Sequence, residues 1–488
     1  MEIKDKIIKD NSKYPKKILQ FGQGNFLRGF VDWIIDLSND EEILKSSVII
    51  AKATERGDLN RFKKQNFKYT LAMRGLEGGE AKEEYKIITS ISDMINPYND
   101  KDFKSYEEVI KSEELSIVIS NTTEAGIVYE KVNFEDNYPK TFPAKITKLL
   151  YTRYLHFKGD KSKGLLFIPV ELIDNNGREL KKIVLKHIED WKLPDEFKNW
   201  VEENNKFLNT LVDRIVTGYP KDNISKLEEK IGYKDEIIVT SEIFNLWVIE
   251  GNKEDEKNFP INRTKANIIW TDNVKSYKTR KVRILNGAHT SMALAAYLSG
   301  FKIVRDMMED RNFNNFYDFI IEDEIIPTIE MDKDELLSFS NSVKDRFKNP
   351  FIDHSLLDIF LNSVSKFKER CLSSLLDYYN KYDKIPKGLA FSLASLIRFY
   401  KVKEKNNVFF GKDFNNNNYE VKDDINILKL FEKFWQEDNN YNLVKNILSN
   451  EEIWGVNLLE VDGLFEEILN NLNNFEEIGI RKTLEKIV

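Results

Sequence analysis

Up to about residue 270, short runs rich in β-branched and aromatic residues alternate with amphipathic stretches, and from about residue 274 onward the strand-like runs stop. Residues 17–21, 48–53, 85–90, 115–120, 164–170 and 246–249 read as strands, each bounded by polar or turn-forming residues. Between them Phe26, Phe30, Trp33 and Leu37 recur at helical spacing, as do Phe103, Tyr106, Val109 and Ile110. Strands alternating with helices argue a mostly parallel sheet with helices on its faces. The later half carries long helical patterns at 281–299, 352–366 and 387–402. The predicted fold is therefore α/β over residues 1–273 and all α over 274–488.

A chain of 488 residues exceeds what one hydrophobic core supports, so two domains are expected on length as well. The net charge of -7 disfavours nonspecific affinity for nucleic acid or anionic membranes, because both need a basic face. The opening 17 residues carry charges every few positions, so they read as neither a signal peptide nor an anchor, and no later window is apolar for the ~18 residues a spanning helix needs. One cysteine, Cys371, excludes an intrachain disulfide and a thiolate zinc cluster, and the expected compartment is the cytoplasm. The four histidines, His156, His187, His289 and His354, show none of the close pairing typical of zinc enzymes, so no metal is expected. The asparagine runs 415–418 and 470–474 read as polar loops.

The first strand runs into Gly22 and Gly24, and that turn opens an amphipathic helix. A dinucleotide site needs glycine at such a turn so that the backbone can approach the pyrophosphate, whose charge is met by amides at the helix N-terminus. The candidate cofactor surface is Phe21, Gly22, Gly24, Asn25, Phe26 and Arg28, with Arg28 as an added cation. The third glycine of the usual spacing falls on Leu27, with Gly29 two residues late, and a tight turn with no ligand explains the glycines equally. Glu55, just beyond the second strand, is a candidate ribose partner. Asn121, Thr123 and Glu124 follow a later strand, where an open sheet binds ligands, although helix capping accounts for such residues too.

Lys281, Asn286 and His289 fall within one helical pattern. At 100° per residue one helix face can present all three. A carbonyl or alcohol that exchanges a hydride needs a proton partner at oxygen and donors for the developing alkoxide. A lysine whose pKa is lowered by burial or nearby positive charge can serve as general acid and base, and an asparagine amide can donate to the oxyanion. Spacing alone favours a helix with one satisfied histidine and a solvent-facing lysine.

The K-x4-N-x2-H pattern of Lys281, Asn286 and His289 resembles the signature of the polyol-specific long-chain dehydrogenases, and the resemblance runs over nearly the whole chain. Residues 18–28, 119–127, 246–251 and 281–292 are most similar to the branch that acts on tagaturonate. The resemblance implies a Rossmann-type domain followed by a helical domain, NAD as cofactor, Lys281 as general acid/base, and Asn286 and His289 at the reacting oxygen. It also implies a place for Asp213 beside the cofactor and catalytic lysine; an ion pair with Arg214 is the plain alternative. In the mannitol-oxidising branch an asparagine supplies a second oxyanion donor where this chain has Leu172, and Asn175 and Asn176 are possible substitutes. The implied substrate is a small sugar acid, for whose carboxylate Arg346, Lys366, Lys368 and Arg370 are the candidates. Fructuronate or mannitol as substrate, and a ligand sensor without turnover, remain as alternatives.

Overall fold

The structure is a computed structural model and describes residues 1–488 except Ile7, Thr123 and Glu124. Internal contacts divide the chain into two compact units, one of Met1–Arg74 with Lys82–Val274 and the other of Gly75–Ala81 with Lys275–Val488.

The first unit holds, in chain order, β1 (Ile18–Phe21), β2 (Val48–Ala51), β3 (Tyr69–Glu77) and β4 (Glu80–Ile88) apart from their Gly75–Ala81 tip, β5 (Ile91–Ile95), β6 (Ile117–Ser120), β7 (Leu166–Pro169) and β8 (Lys206–Phe207). They are followed by β9 (Thr210–Asp213), β10 (Val216–Gly218), β11 (Val239–Ser241), β12 (Leu246–Glu250) and β13 (Ile268–Thr271). The main sheet has the order β5-β2-β1-β6-β7-β8, and every pair in it is parallel. The chain builds outward from β1 in one direction through β2 and β5, then returns to build outward through β6, β7 and β8. That reversal is the doubly wound Rossmann order, and it opens a crevice beyond the ends of β1 and β6.

Burial explains why these strands read as continuous apolar runs. Ile18, Val48, Ile50, Ile117 and Ile119 pack into one core layer, while Leu19, Phe21, Ile49, Ala51 and Val118 pack into the other. A parallel sheet covered on both faces has no polar side to alternate with. Two smaller sheets complete the unit, β10-β11-β3-β4 and β13-β12-β9. The expected strand at 85–90 lies mostly inside β4, whose outward residues are exposed.

The second unit is largely helical. Helices Gly287–Leu298 and Lys387–Phe399 are buried on nearly every side, and Leu464–Glu477 packs along the latter. A helix apolar all round belongs at a core centre. A three-stranded antiparallel sheet adds to the all-α expectation: β14 (Val402–Lys405), β15 (Val408–Lys412) and β16 (Asn418–Val421). The asparagine run 415–418 forms the turn into β16, where Asp413 accepts from the backbone amides of Asn415 and Asn417.

Candidate active site

The candidate residues form two sets, one on each unit. In the first unit Gly22 leaves β1 at φ +115°, a left-handed backbone that favours glycine, and a Cβ there would stand 3.1 Å from the Asn121 carbonyl oxygen. Gly24 caps the helix Asn25–Gly29, and a Cβ on it would meet nothing within 4 Å. The turn therefore has a glycine for its bend and open space beside the exposed Gly24 and Asn25 at the switch crevice. Such a turn fits a dinucleotide pyrophosphate.

The residues around it are placed less uniformly. Asn121 hydrogen-bonds through its backbone amide to Phe21 O and through Nδ2 to Val170 O, so it ties β1, β6 and β7 together at the crevice. The Phe21 ring is buried edge-on to Tyr106 and Phe142, which leaves only its backbone at the turn. Phe26 stacks on Phe30 at 5.2 Å. Arg28 points inward, a correction to its expected role as an outer cation: its guanidinium donates to Ile237 O and Asn25 Oδ1, both at 2.7 Å, and to Gln23 O at 3.3 Å. Its place is to brace the turn from behind. Thr123 and Glu124 lie outside the described residues.

Asp213 ends β9 and is buried, paired in register with Leu246. The neighbouring Arg214 guanidinium donates to the carbonyls of Gly29 and Glu242. Leu172 is 60% exposed. Asn176, weighed as a substitute oxyanion donor, is instead a buried strut: its Nδ2 donates to Pro169 O and Glu171 O, and its Oδ1 accepts from the amides of Gly177 and Thr210. Asn175 adopts the left-handed conformation before that helix. Glu171 was not singled out in the sequence. Its buried carboxylate accepts from Ser120 Oγ and from the Thr122 amide and hydroxyl, fixing the loop after β6. A carboxylate directly after the 164–170 strand, at the sheet edge that binds ligands, was the available signal.

In the second unit the helix that carries Lys281 is not a plain α-helix. Val274–Arg280 is α, Lys281–Asn286 is a π turn, and Gly287–Leu298 is α again. The Gly287 amide donates to the carbonyls of Val282 and Ile284, the first of which is the π bond. A π turn closes five-residue rather than four-residue intervals, so Lys281 and Asn286 come nearer to one above the other than the 100° wheel gives. Two further π segments, Phe319–Ile325 and Lys368–Leu372, pack against this one. Gly287 stands where they meet: a Cβ there would contact Arg370 O at 3.5 Å and Ile325 Cδ1 at 3.7 Å.

His289 follows on the same helix. Its ring stacks on Phe347 and takes the His354 ring edge-on at 5.2 Å. Its Nε2 is buried and has no hydrogen-bond partner among the described residues. Burial drives its pKa well below the usual histidine value, and His354, Arg346, Arg370 and Lys366 push in the same direction. Arg346, Lys366 and Arg370, expected to meet a carboxylate, therefore bear on one imidazole and add to the burial that disfavours its charged form. Burial lowers the pKa of Arg370 and Lys366 as well, and Arg370 adds to the effect on Lys366. Arg370 Nη1 lies 3.4 Å from Thr290 Oγ1, and Lys366 Nζ donates to Ile359 O at 2.9 Å. Half-buried cations whose charged forms are disfavoured by burial gain from an anionic ligand, which stabilises those charged forms. Among the described residues no three His, Cys, Asp or Glu side chains gather into a metal-holding set.

The mannitol dehydrogenase Rossmann domain model matches residues 16–263, and the mannitol dehydrogenase C-terminal domain model matches residues 273–476. The chain belongs to the mannitol dehydrogenase family. As a member it is an oxidoreductase acting on CH–OH groups. It is 41% identical to an altronate oxidoreductase of Bacillus subtilis, covering 97% of this chain and 96% of that one. It is 40% identical to the altronate oxidoreductase of Yersinia enterocolitica, covering 96% of each. Among solved structures it is similar to D-sorbitol dehydrogenase in substrate-free form, with TM-score 0.79 at 19% identity over 97% of this chain and 96% of that one. It is also similar to Pseudomonas fluorescens mannitol 2-dehydrogenase in ternary complex with NAD and D-mannitol, with TM-score 0.65 at 21% identity over 98% of this chain and 95% of that one. At those identities the two structures speak to the fold.

Proposed function

We propose that this family member interconverts D-altronate and D-tagaturonate, with NAD as the hydride partner and Lys281 as general acid/base. The observation that carries the substrate class is the convergence of Arg346, Lys366 and Arg370 on the neutral His289, one helical turn beyond Asn286. A polyol without charge gives such a cluster no counter-ion, whereas a sugar-acid carboxylate does. The altronate oxidoreductases at about 40% identity over the full length point the same way.

When bound, the nicotinamide supplies or accepts the hydride. On oxidation Lys281 takes the proton from the hydroxyl oxygen, and on reduction it returns one. The Asn286 amide donates to that oxygen as charge develops on it. Neutral His289 hydrogen-bonds and orients the substrate, and the three cations fix the carboxylate end. Because an amine moves the proton, the reaction is read as metal-independent. Preference for NAD over NADP rests on Glu55, an exposed carboxylate placed after β2 to accept a ribose hydroxyl. We place the enzyme in the cytoplasm; its one cysteine, Cys371, is buried, and burial pushes its thiol up to about 12.

A substrate panel tests the assignment: tagaturonate, fructuronate and fructose, each with NADH and with NADPH. The expected result is fast NADH oxidation with tagaturonate and slow turnover with the others. Preference for fructuronate or fructose reassigns the substrate, and dinucleotide binding without turnover of any keto sugar leaves a sensor.

A further inference from the structure

Gln20 and Asp32 are fully buried polar side chains in the first unit, set in a largely apolar core layer with Arg28, Asp36 and Ser90 as further buried polar neighbours of Asp32. Gln20 is on β1 and shares the sheet face of Ile18. Asp32 is on the helix Val31–Asp40, which packs on that face. Buried polar groups weaken a core unless something uses them. Gln20 Nε2 donates to Gly22 O at 3.2 Å and approaches Asp32 Oδ2 at 3.4 Å. Ser90 Oγ anchors the Asp32 backbone carbonyl at 3.0 Å.

The bond to Gly22 O matters because of what shares its peptide plane. The carbonyl of Gly22 and the amide of Gln23 are fixed on opposite sides of one planar, trans unit. A Gly22 carbonyl drawn inward by Gln20 turns the Gln23 N–H outward. Gly22 itself offers little resistance to a flip of that plane, since glycine at φ +115° has no side chain to lock it.

We propose that Gln20 and Asp32 are positioning residues for the cofactor: Asp32 holds the Gln20 amide, Gln20 holds the Gly22 carbonyl, and the Gln23 amide is thereby aimed at the pyrophosphate. This rests on the dinucleotide reading of the glycine turn given above. Neither residue touches cofactor or substrate, so the pair governs affinity for the dinucleotide and leaves the hydride and proton steps alone.

The experiment is a fluorescence titration of NADH into the full-length protein, paired with kcat at saturating NADH, for wild type, Gln20→Leu, Asp32→Asn and Asp32→Leu. Gln20→Leu and Asp32→Leu are expected to raise the NADH dissociation constant about tenfold with kcat within about twofold of wild type, while Asp32→Asn, which keeps an acceptor for Gln20, stays within about threefold. Unchanged affinity in Gln20→Leu and Asp32→Leu overturns the proposal. So does Asp32→Asn weakening NADH binding as much as Asp32→Leu, since a relay through a neutral acceptor then has no part in it. Should a leucine variant fail to fold, the Asp32→Asn affinity and the split between dissociation constant and kcat in the other variants decide. A wild-type protein that binds neither NADH nor NADPH sinks the dinucleotide reading itself, an outcome distinct from the others.

Discussion

The His289 imidazole lies flat on the Phe347 ring, with centroids 4.1 Å apart and planes within 6° of parallel. The stack fixes the plane of the imidazole. Burial, with a lesser contribution from the surrounding cations, lowers its pKa well below the usual histidine value, and in the proposed mechanism it serves as a neutral hydrogen-bonding group. Phe347→Ala removes the plane and leaves a cavity, and Phe-to-Ala losses in cores cost about 3–5 kcal/mol. The expected result is a lower melting temperature together with a kcat/KM for tagaturonate reduced about tenfold. Thermal melts and steady-state kinetics check both.

Arg370→Ala and Lys366→Ala should each raise KM for tagaturonate about 10- to 100-fold, the range of one charge-assisted hydrogen bond. KM for NADH should stay as it is. The check is a pair of saturation curves for each variant; equal effects on both substrates would mean that the cations shape the fold and do not receive the carboxylate.

Glu324 carries a stability prediction. Its buried carboxylate accepts from the amides of Gly388 and Leu389 at the start of the helix Lys387–Phe399, and burial pushes its pKa up to about 7. A folded-state value above the unfolded one means that the protonated form is favoured by folding. The stabilisation is complete below about 4.5 and is lost as pH rises through about 7. Glu324→Gln should flatten the fall in melting temperature between those values, as measured by thermal denaturation across a buffer series.

Dialysis against a strong chelator should leave turnover of tagaturonate unchanged, because in the proposed mechanism Lys281 supplies the proton transfer that a bound cation supplies elsewhere. Activity lost on dialysis and restored by zinc would contradict this.

Much of the architecture was legible because it is written in local patterns. The two-sided burial of β1, β2 and β6 forces continuous apolar runs, and the glycines at 22 and 24 mark the turn that follows. The strands β14, β15 and β16 were not legible as such. They are four or five residues long, carry charged outward residues, and sit beside an asparagine-rich turn that reads as loop. Their inward residues, Phe409, Gly411, Tyr419 and Val421, do alternate with a period of two, which was the available signal. The direction of Arg28 was not legible either, since a cation beside a glycine turn can face a ligand or the core with the same neighbours in sequence. Nor could a helical wheel reveal the π turn at Lys281–Asn286, because the wheel assumes the regular pitch that the turn breaks. The gathering of Arg346, Lys366 and Arg370 around His289 joins residues up to 81 positions from His289 (370 − 289), and only folding brings them together.

The most direct test of the account is the turnover of Lys281→Ala with tagaturonate and NADH, measured beside its dissociation constant for NADH. The account predicts kcat reduced about 1000-fold with NADH binding nearly unchanged. A variant that turns over at the wild-type rate would contradict it.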